Sequence, residues 1–526
     1  MQDINYIKLF DDCHNLIRNN DGLTGIDAFD EMVKILFTSE KTKLSDKTSK
    51  QIQNNFSKID LNQDIAAIMF ESFLSRTFTG SLGQFFTPRE VIEFIVKVSQ
   101  IFLDKEPNIV LDPACGTGGF LVEALSLFKN SKIVGCDIND RVAEISRKNL
   151  AYHGSKNFEV QTKSFLLSDL KDVDLVLTNP PFGVKEDRKE ILKNFTLATK
   201  SKVELDFLFI EKISKIMADG GVCGIVLPRG ILNNKSLTKV RDYIRDNFVI
   251  LGSVDLPQNT FKSTGTGAET SILFLKKGGA ERNKVFVSVP EHIGFETKTK
   301  NADRTDKNDL PKIVDAIKHS KESDLLHFVN KEDMSDRLDS SYFFFKKKYS
   351  YLPKTIGDYA SIVKRSVPKT LQKFKYIELS SVSSEFNEIF GCDLIENKSA
   401  PARAKKFLQK GDVICARLKN STNVISSVTS EDDYVASTGF SVLNAKNSIN
   451  QDVLIEILKD KNVQKQMQLL STGTIMPTIS DNDILSVRVQ NVNLKMLKGK
   501  VADLEKISKM KKQIREFYQK FRLFEN

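Results

Sequence analysis

One run of four residues, Asn179-Pro180-Pro181-Phe182, carries the groups needed to activate a weak nitrogen nucleophile, and it directly follows the apolar stretch Leu175 to Leu177. An amine conjugated to an aromatic ring, such as N6 of adenine, attacks poorly because its lone pair is delocalised into the ring. Two carbonyl-type oxygens that accept both amine hydrogens draw the nitrogen toward tetrahedral geometry and localise that pair. The Asn179 side-chain oxygen and the Pro180 main-chain carbonyl are such acceptors, held on a backbone stiffened by two prolines. Phe182 adds an aromatic face for a base turned out of a duplex. Taken alone, N-P-P-F suits a rigid turn equally well, so its placement in the chain matters.

Some 65 residues earlier stands VLDPACGTGGF, Val110 to Phe120. An apolar strand ends in Asp112, and Gly116, Thr117, Gly118 and Gly119 then open a helix. Glycines let the backbone turn tightly and approach a ligand closely, and the first N–H groups of a helix are free to bind polar atoms. Asp137 lies 25 residues beyond Asp112, at the end of the next strand, where an acid can accept both hydroxyls of a ribose. By itself such a turn leaves a plain structural role or a dinucleotide site open. The G-T-G-G spacing departs from G-x-G-x-x-G, which counts against the dinucleotide.

The elements that must position these residues are legible in the periodicity. From about residue 90, short apolar runs (Ile109 to Leu111, Lys132 to Cys136, Leu175 to Leu177, Val222 to Leu227, Ile250 to Leu256, Ser271 to Leu275) alternate with helical stretches such as Phe120 to Phe128, Arg141 to Tyr152 and Leu205 to Met217. The pattern predicts an α/β domain with a parallel, doubly wound, Rossmann-like sheet and ligands at the carboxyl ends of its strands. Ahead of it, Phe29, Met32, Val33, Leu36 and Phe37 at spacings of three and four predict a helical lead-in, with a second helical run near Ile65 to Phe73. Residues 296–350, rich in Lys, Asp and Ser, read as the connection out of the sheet domain, with a seam near Asp339. Residues 350–490 turn β-rich. The last stretch predicts one long amphipathic helix through Leu497, Val501, Leu504, Ile507, Ile514, Phe517 and Phe521.

LDPACGTGG and TNPPFG, with GQFFTPREVIEFIV before them, resemble the amino-methyltransferase family, in particular the modification subunits of type I restriction systems and their fused type IIG relatives. The order of motifs is similar to the gamma arrangement of adenine-N6 enzymes, over roughly residues 60–340. The resemblance implies S-adenosyl-L-methionine as cofactor. It lays Gln84, Phe85, Phe86, Thr87, Pro88 and Arg89 over the methionine part, Asp112 and Gly116 to Gly119 at the cofactor turn, and Asp137 on the ribose. Relatives usually carry an acid after the third strand, to bind the cofactor's adenine amine; this chain reads Thr162-Lys163-Ser164-Phe165, leaving Asp169 or a backbone contact for that role. More weakly, DRLDSSYF (Asp336 to Phe343), ARAKKFLQKGDVICAR and STGTIMPTISDNDILSVRV resemble half of a type I specificity subunit. That implies a helical domain at 1–80, a methyltransferase domain at 81–335, an α+β target-recognition domain at 336–490 and a spacer or dimerisation helix at 491–526. Arg403, Lys405, Lys406, Lys410, Arg417 and Lys419 are then candidates for DNA contacts.

The charge supports a polyanionic partner. Of the net +10, residues 341–526 hold 31 Lys and Arg against 19 Asp and Glu, a net +12, which leaves −2 for residues 1–340. Six scattered cysteines and five histidines show no metal-ligating spacing, so no metal is expected. With no long apolar run and an acidic start, the chain is expected in the cytoplasm, associated with the nucleoid and not with a membrane. The reading is a site-specific methyltransferase acting on adenine N6 in double-stranded DNA within a restriction-modification system, as a homodimer or with specificity or restriction subunits through the final helix. Three alternatives stay open: methylation of cytosine N4, an RNA base or protein glutamine; a bifunctional restriction enzyme, although residues 1–83 contain no Asp/Glu-x-Lys triplet; and a non-catalytic DNA-binding scaffold.

Overall fold

The computed structural model describes residues 6–37, 41–57, 87–258, 260–262, 267–280, 282–296, 304–446, 449–473 and 476–491, with isolated helical positions between 503 and 517. The chain divides into two compact units, Met1–Ser340 and Ser341–Asn526. Gln84, Phe85 and Phe86, the helical run expected near Ile65 to Phe73, and most of the expected terminal helix lie outside the described residues.

The first unit is built on one nine-stranded sheet. Its strands are β1 (Ile109–Asp112), β2 (Lys132–Asp137), β3 (Phe158–Thr162), β4 (Val173–Thr178), β5 (Met217–Pro228), β6 (Val249–Asp255), β7 (Thr270–Lys276), β8 (Lys284–Ser288) and β9 (Leu326–Asn330), in the spatial order β9-β8-β6-β7-β5-β4-β1-β2-β3. From β5 to β3 all pairings are parallel. The chain runs outward from β1 through β2 to β3, then returns to place β4 on the other side of β1. That reversal opens a crevice at the carboxyl ends of β1 and β4, the place where open α/β sheets bind ligands. Both motifs sit on those two strand ends.

Two expectations need correction. The sheet is mixed: β7 runs antiparallel between β5 and β6, and β9 antiparallel beside β8. Residues 256–269 hold no helix among their described residues, and without a crossover element the chain returns in the opposite sense. Residues 296–350 are also more than a connection, since they supply a strand at Arg304–Asn308, a helix at Leu310–Lys318 and β9 itself. β9 is an edge strand buried mainly at Leu326, so its sequence lacks the apolar run of a central strand.

Helices pack both faces. The N-terminal helices α1 (Tyr6–Asp21), α2 (Gly25–Phe37) and α3 (Asp46–Phe56) bury Phe10, Ile17, Phe29, Met32, Ile52 and Phe56 together with Val142 and Ile145 of α6 (Asp140–Tyr152), so this bundle packs on α6. Between them in sequence, α4 (Arg89–Ile101) and α5 (Gly119–Leu127) cover the strands that carry the motifs; Phe94 of α4 meets Phe274 of β7 edge-on, ring centroids 6.1 Å apart. The helix α7 (Leu205–Ile216) follows the N-P-P-F loop.

The second unit contains two four-stranded sheets among its described residues. One orders Ala360–Ile362, Phe440–Ala445, Asp412–Ala416 and Ile425–Ser427; the other orders Asp393–Glu396, Lys373–Ile377, Tyr434–Ser437 and Ala404–Leu408. Helices Gln451–Lys459 and Lys461–Leu470 pack on the first through Leu454, Leu458, Met467 and Leu470.

Candidate active site

At the end of β1 the chain must leave the sheet and start α5 within six residues, and two acids organise that turn. Asp112 Oδ1 accepts from Ala114 N at 3.0 Å. Asp137, at the end of β2, accepts from Gly116 N through Oδ2 at 3.1 Å and from Asn139 N through Oδ1 at 2.8 Å. The ribose candidate is therefore also the brace between the two strand ends. Burial pushes the Asp137 carboxyl up while the N–H groups of Asn139 and Gly116 pull it back. Asp112, more deeply buried, is pushed up to about 7, mainly by burial against the lowering effect of the Ala114 N–H and the Thr178 hydroxyl.

Gly118 caps α5 with a φ of +91°, and a Cβ there would stand 2.7 Å from Ser146 Oγ. Only glycine fits both demands. A Cβ at Gly116, at φ +52°, would meet nothing within 4 Å among the described residues, which leave the turn uncovered at that point. Thr117 is buried, and its carbonyl accepts from Asn149 Nδ2 at 3.1 Å, which ties the turn to α6.

Across the crevice, Asn179 leaves β4. Its Nδ2 donates to Thr87 Oγ1 at 3.0 Å, while its Oδ1 is enclosed and has no hydrogen-bond partner among the described residues. Buried polar atoms are seldom left unmatched, so an isolated acceptor at a strand end points to a donor from a ligand. Pro180 is buried and Pro181 partly so. Phe182 is packed inward, 8% exposed, and meets Phe261 edge-on with centroids 6.1 Å apart at 88°. Pro88 precedes α4, and Arg89 pairs with Glu93 at 3.1 Å along that helix.

The family profile described as N-6 DNA Methylase matches residues 61–352, more than half of the chain. The chain belongs to the N-6 DNA methylase family. Over 217 residues it is 30% identical to the Type II methyltransferase M.CvrRI of Paramecium bursaria Chlorella virus XZ-6E, covering 40% of this chain and 52% of that protein. Over 275 residues it is 28% identical to the Type I restriction enzyme EcoEI methylase subunit of Escherichia coli, covering 48% and 55%. The chain thus spans about half the length of these curated relatives. Among solved structures, the type IIG restriction endonuclease BpuSI shares the fold, with a TM-score of 0.52 at 12% identity over 95% of this chain and 71% of that one.

Within this member of the family the structure brings Asp112, Gly116 to Gly119, Asp137 and the Asn179 to Phe182 run to neighbouring strand ends, with Thr87 reaching Asn179 from the start of α4. It also shows residues that sequence reading missed. Ile138, directly after Asp137, is 72% exposed, and Leu167, beyond β3, is 52% exposed. Apolar side chains left in water at strand ends offer contact to a planar ring. Asp206, in the first turn of α7, is 3% exposed with Oδ1 unpartnered, and burial pushes it up to about 8, with Glu204 adding to the shift. Lys163 is partly exposed and Asp169 exposed.

The six basic candidates of the second unit separate by what their cations touch. Arg417 Nε donates to the Ile479 carbonyl at 2.9 Å and Lys406 Nζ to the Phe440 carbonyl, so both brace the unit internally. Lys410 pairs with Glu431 at 3.3 Å. Lys419 starts a short turn held by its own N–H on the Pro477 carbonyl. Arg403 and Lys405 are exposed. No group of His, Cys, Asp or Glu suited to a metal occurs among the described residues, and no described helix is long and apolar enough to cross a membrane.

Proposed function

We propose that this chain methylates the exocyclic N6 of adenine in double-stranded DNA, using S-adenosyl-L-methionine, as the modification component of a restriction-modification system. The observation that carries this reading is the Asn179 side chain, with its nitrogen on Thr87 and its oxygen unmatched among the described residues, inside the N-P-P-F turn. The family and its fold imply this cofactor, and the residues present fit it: space over Gly116, free N–H groups where α5 starts, an acid at the end of β2 and an exposed Ile138 beside it.

In this reading Asp137 accepts the ribose hydroxyls and the Gly116 to Gly119 turn lies along the methionine part, with Thr87, Pro88 and Arg89 opposite and Ile138 against the adenine ring. Bound there, S-adenosyl-L-methionine supplies an electrophilic methyl on a sulfonium, an excellent leaving group. The protein's task is then positioning rather than strong base catalysis. Asn179 Oδ1 accepts one N6 hydrogen of an extruded adenine, and the Pro180 carbonyl the other. Phe182 and Phe261 hold the base plane.

The second unit selects the DNA site, with Arg403 and Lys405 as its first candidates for phosphate contact. Ile507, Met510, Ile514 and Phe517, spaced by three and four and all exposed, support pairing of the C-terminal helix with a second copy or a specificity subunit. Sedimentation of the chain alone and with such a subunit separates these. Digesting DNA from expressing cells to nucleosides tests the reaction: N6-methyladenine supports it, and N4-methylcytosine or no modified base overturns it.

A further inference from the structure

The chain between β6 and β7 begins after Asp255, ends at Glu269 and carries Phe261. Both of those acids meet one cation. Arg229, directly after β5 and almost fully buried, places Nε 3.3 Å from Asp255 Oδ2 and Nη1 3.0 Å from Glu269 Oε2. A third carboxylate, Asp339, lies 3.8 Å from Nη2. Arg337 grips Asp339 in turn through two bonds of 2.7 and 2.6 Å.

The backbone closes around the same point: Arg229 N donates to the Glu269 carbonyl at 2.9 Å, and Leu256 N to the Thr270 carbonyl at 3.0 Å. Burial works against every charge here. Even so, Asp255, Asp339 and Glu269 together keep Arg229 above its ordinary value, and Arg337 with Arg229 keeps Asp339 below its own. In other proteins, apolar side chains of similar volume often replace such a cluster without loss of stability. What a planar, forked cation adds is direction, because it fixes which groups meet and at what angle.

We propose that Arg229 is a positioning residue for the base site: by joining both ends of the 255–269 connection on one guanidinium, it holds Phe261 edge-on to Phe182, beside Asn179. The role of that ring pair rests on the function proposed above, whereas the geometry of the clamp does not. Asp339 brings the segment that leads into the second unit to the same cation, so the start of that segment is registered against the base of the Phe261 connection.

The chain contains no tryptophan, so Phe261→Trp creates a single reporter at the ring contact. Acrylamide quenching is compared in F261W, F261W/R229Q and F261W/E269Q, with S-adenosylhomocysteine affinity and far-UV circular dichroism measured alongside. The clamp predicts a shielded tryptophan in F261W and a quenching constant at least about threefold higher in both double variants, with cofactor-product affinity within about twofold. Because R229Q takes the shared cation away from buried Asp255 and Glu269, while Asp339 keeps Arg337, E269Q decides the matter if that variant does not fold. In the Phe261 background, E269Q lowers kcat about tenfold and leaves the KM for S-adenosylmethionine unchanged. Equal quenching in all folded proteins overturns the proposal. A chain that methylated no adenine would defeat the proposed function while leaving the quenching result to stand by itself.

Discussion

The side-chain nitrogen of Asn179 donates to Thr87 Oγ1 at 3.0 Å, joining residues 92 positions apart in sequence. In this arrangement the amide nitrogen faces Thr87 and the oxygen faces away from it. With the nitrogen taken, the oxygen is the atom left to accept an amine hydrogen, as localising the lone pair of a ring amine requires.

Thr87→Val removes the acceptor and keeps the shape. We expect kcat for methyl transfer to fall about tenfold, from the loss of one orienting hydrogen bond, with Thr87→Ser restoring most of it. Single-turnover kinetics at saturating S-adenosylmethionine measure this. An unchanged rate in Thr87→Val would show that Asn179 is oriented by other means.

Gly118 tests the turn. Its φ of +91°, and the 2.7 Å that would separate an added Cβ from Ser146 Oγ, leave no room for a side chain. Gly118→Ala should lower stability by about 1–3 kcal/mol in urea denaturation and weaken S-adenosylhomocysteine binding in calorimetry.

Asp137 has two functions, bracing the turn through Gly116 and Asn139 and, in the proposed complex, receiving the ribose. Asp137→Ala should raise the Kd for S-adenosylhomocysteine by about 10- to 100-fold, as expected for hydrogen bonds to a charged acceptor. Binding unchanged within twofold would remove Asp137 from the cofactor site.

Asp206 gives a pH dependence with a defined sign. Its folded value is raised from 3.8 to about 8, so between those values the folded protein holds a proton that the unfolded chain has released. Stability therefore falls as pH rises through that window and levels off above it. Asp206→Asn abolishes this titration, and relative to the parent it should gain about 1–3 kcal/mol between pH 5 and pH 8. Denaturation curves at the two pH values check it; an equal difference at both would mean that Asp206 does not titrate there.

The two motifs and the strands beneath them were legible because a central buried strand reads as an apolar run and each motif begins where a run stops. Strand direction was not. β6 and β7 are both buried almost throughout and show the same apolar character, though they run in opposite senses. The Arg229 cluster was invisible for another reason: Asp255, Glu269 and Asp339 lie 26, 40 and 110 residues away, and none forms a local pattern with it. Basic residues in the second unit could be named only as a group. Composition could not tell Arg417 and Lys406, which hold main-chain carbonyls, from Arg403 and Lys405, which face outward. Ile138 looked like an ordinary apolar residue ahead of a helix until its exposure placed it beside Asp137.

Whether Asn179 activates the target amine is decided by the N6-methyladenine content of duplex DNA incubated with purified Asn179→Ala and S-adenosylmethionine, measured by nucleoside digestion. S-adenosylhomocysteine affinity serves as the control for an intact fold. We expect a rate at least about 100-fold below the parent, with cofactor-product affinity preserved. Methylation by Asn179→Ala at the parental rate would contradict the role assigned to that side chain.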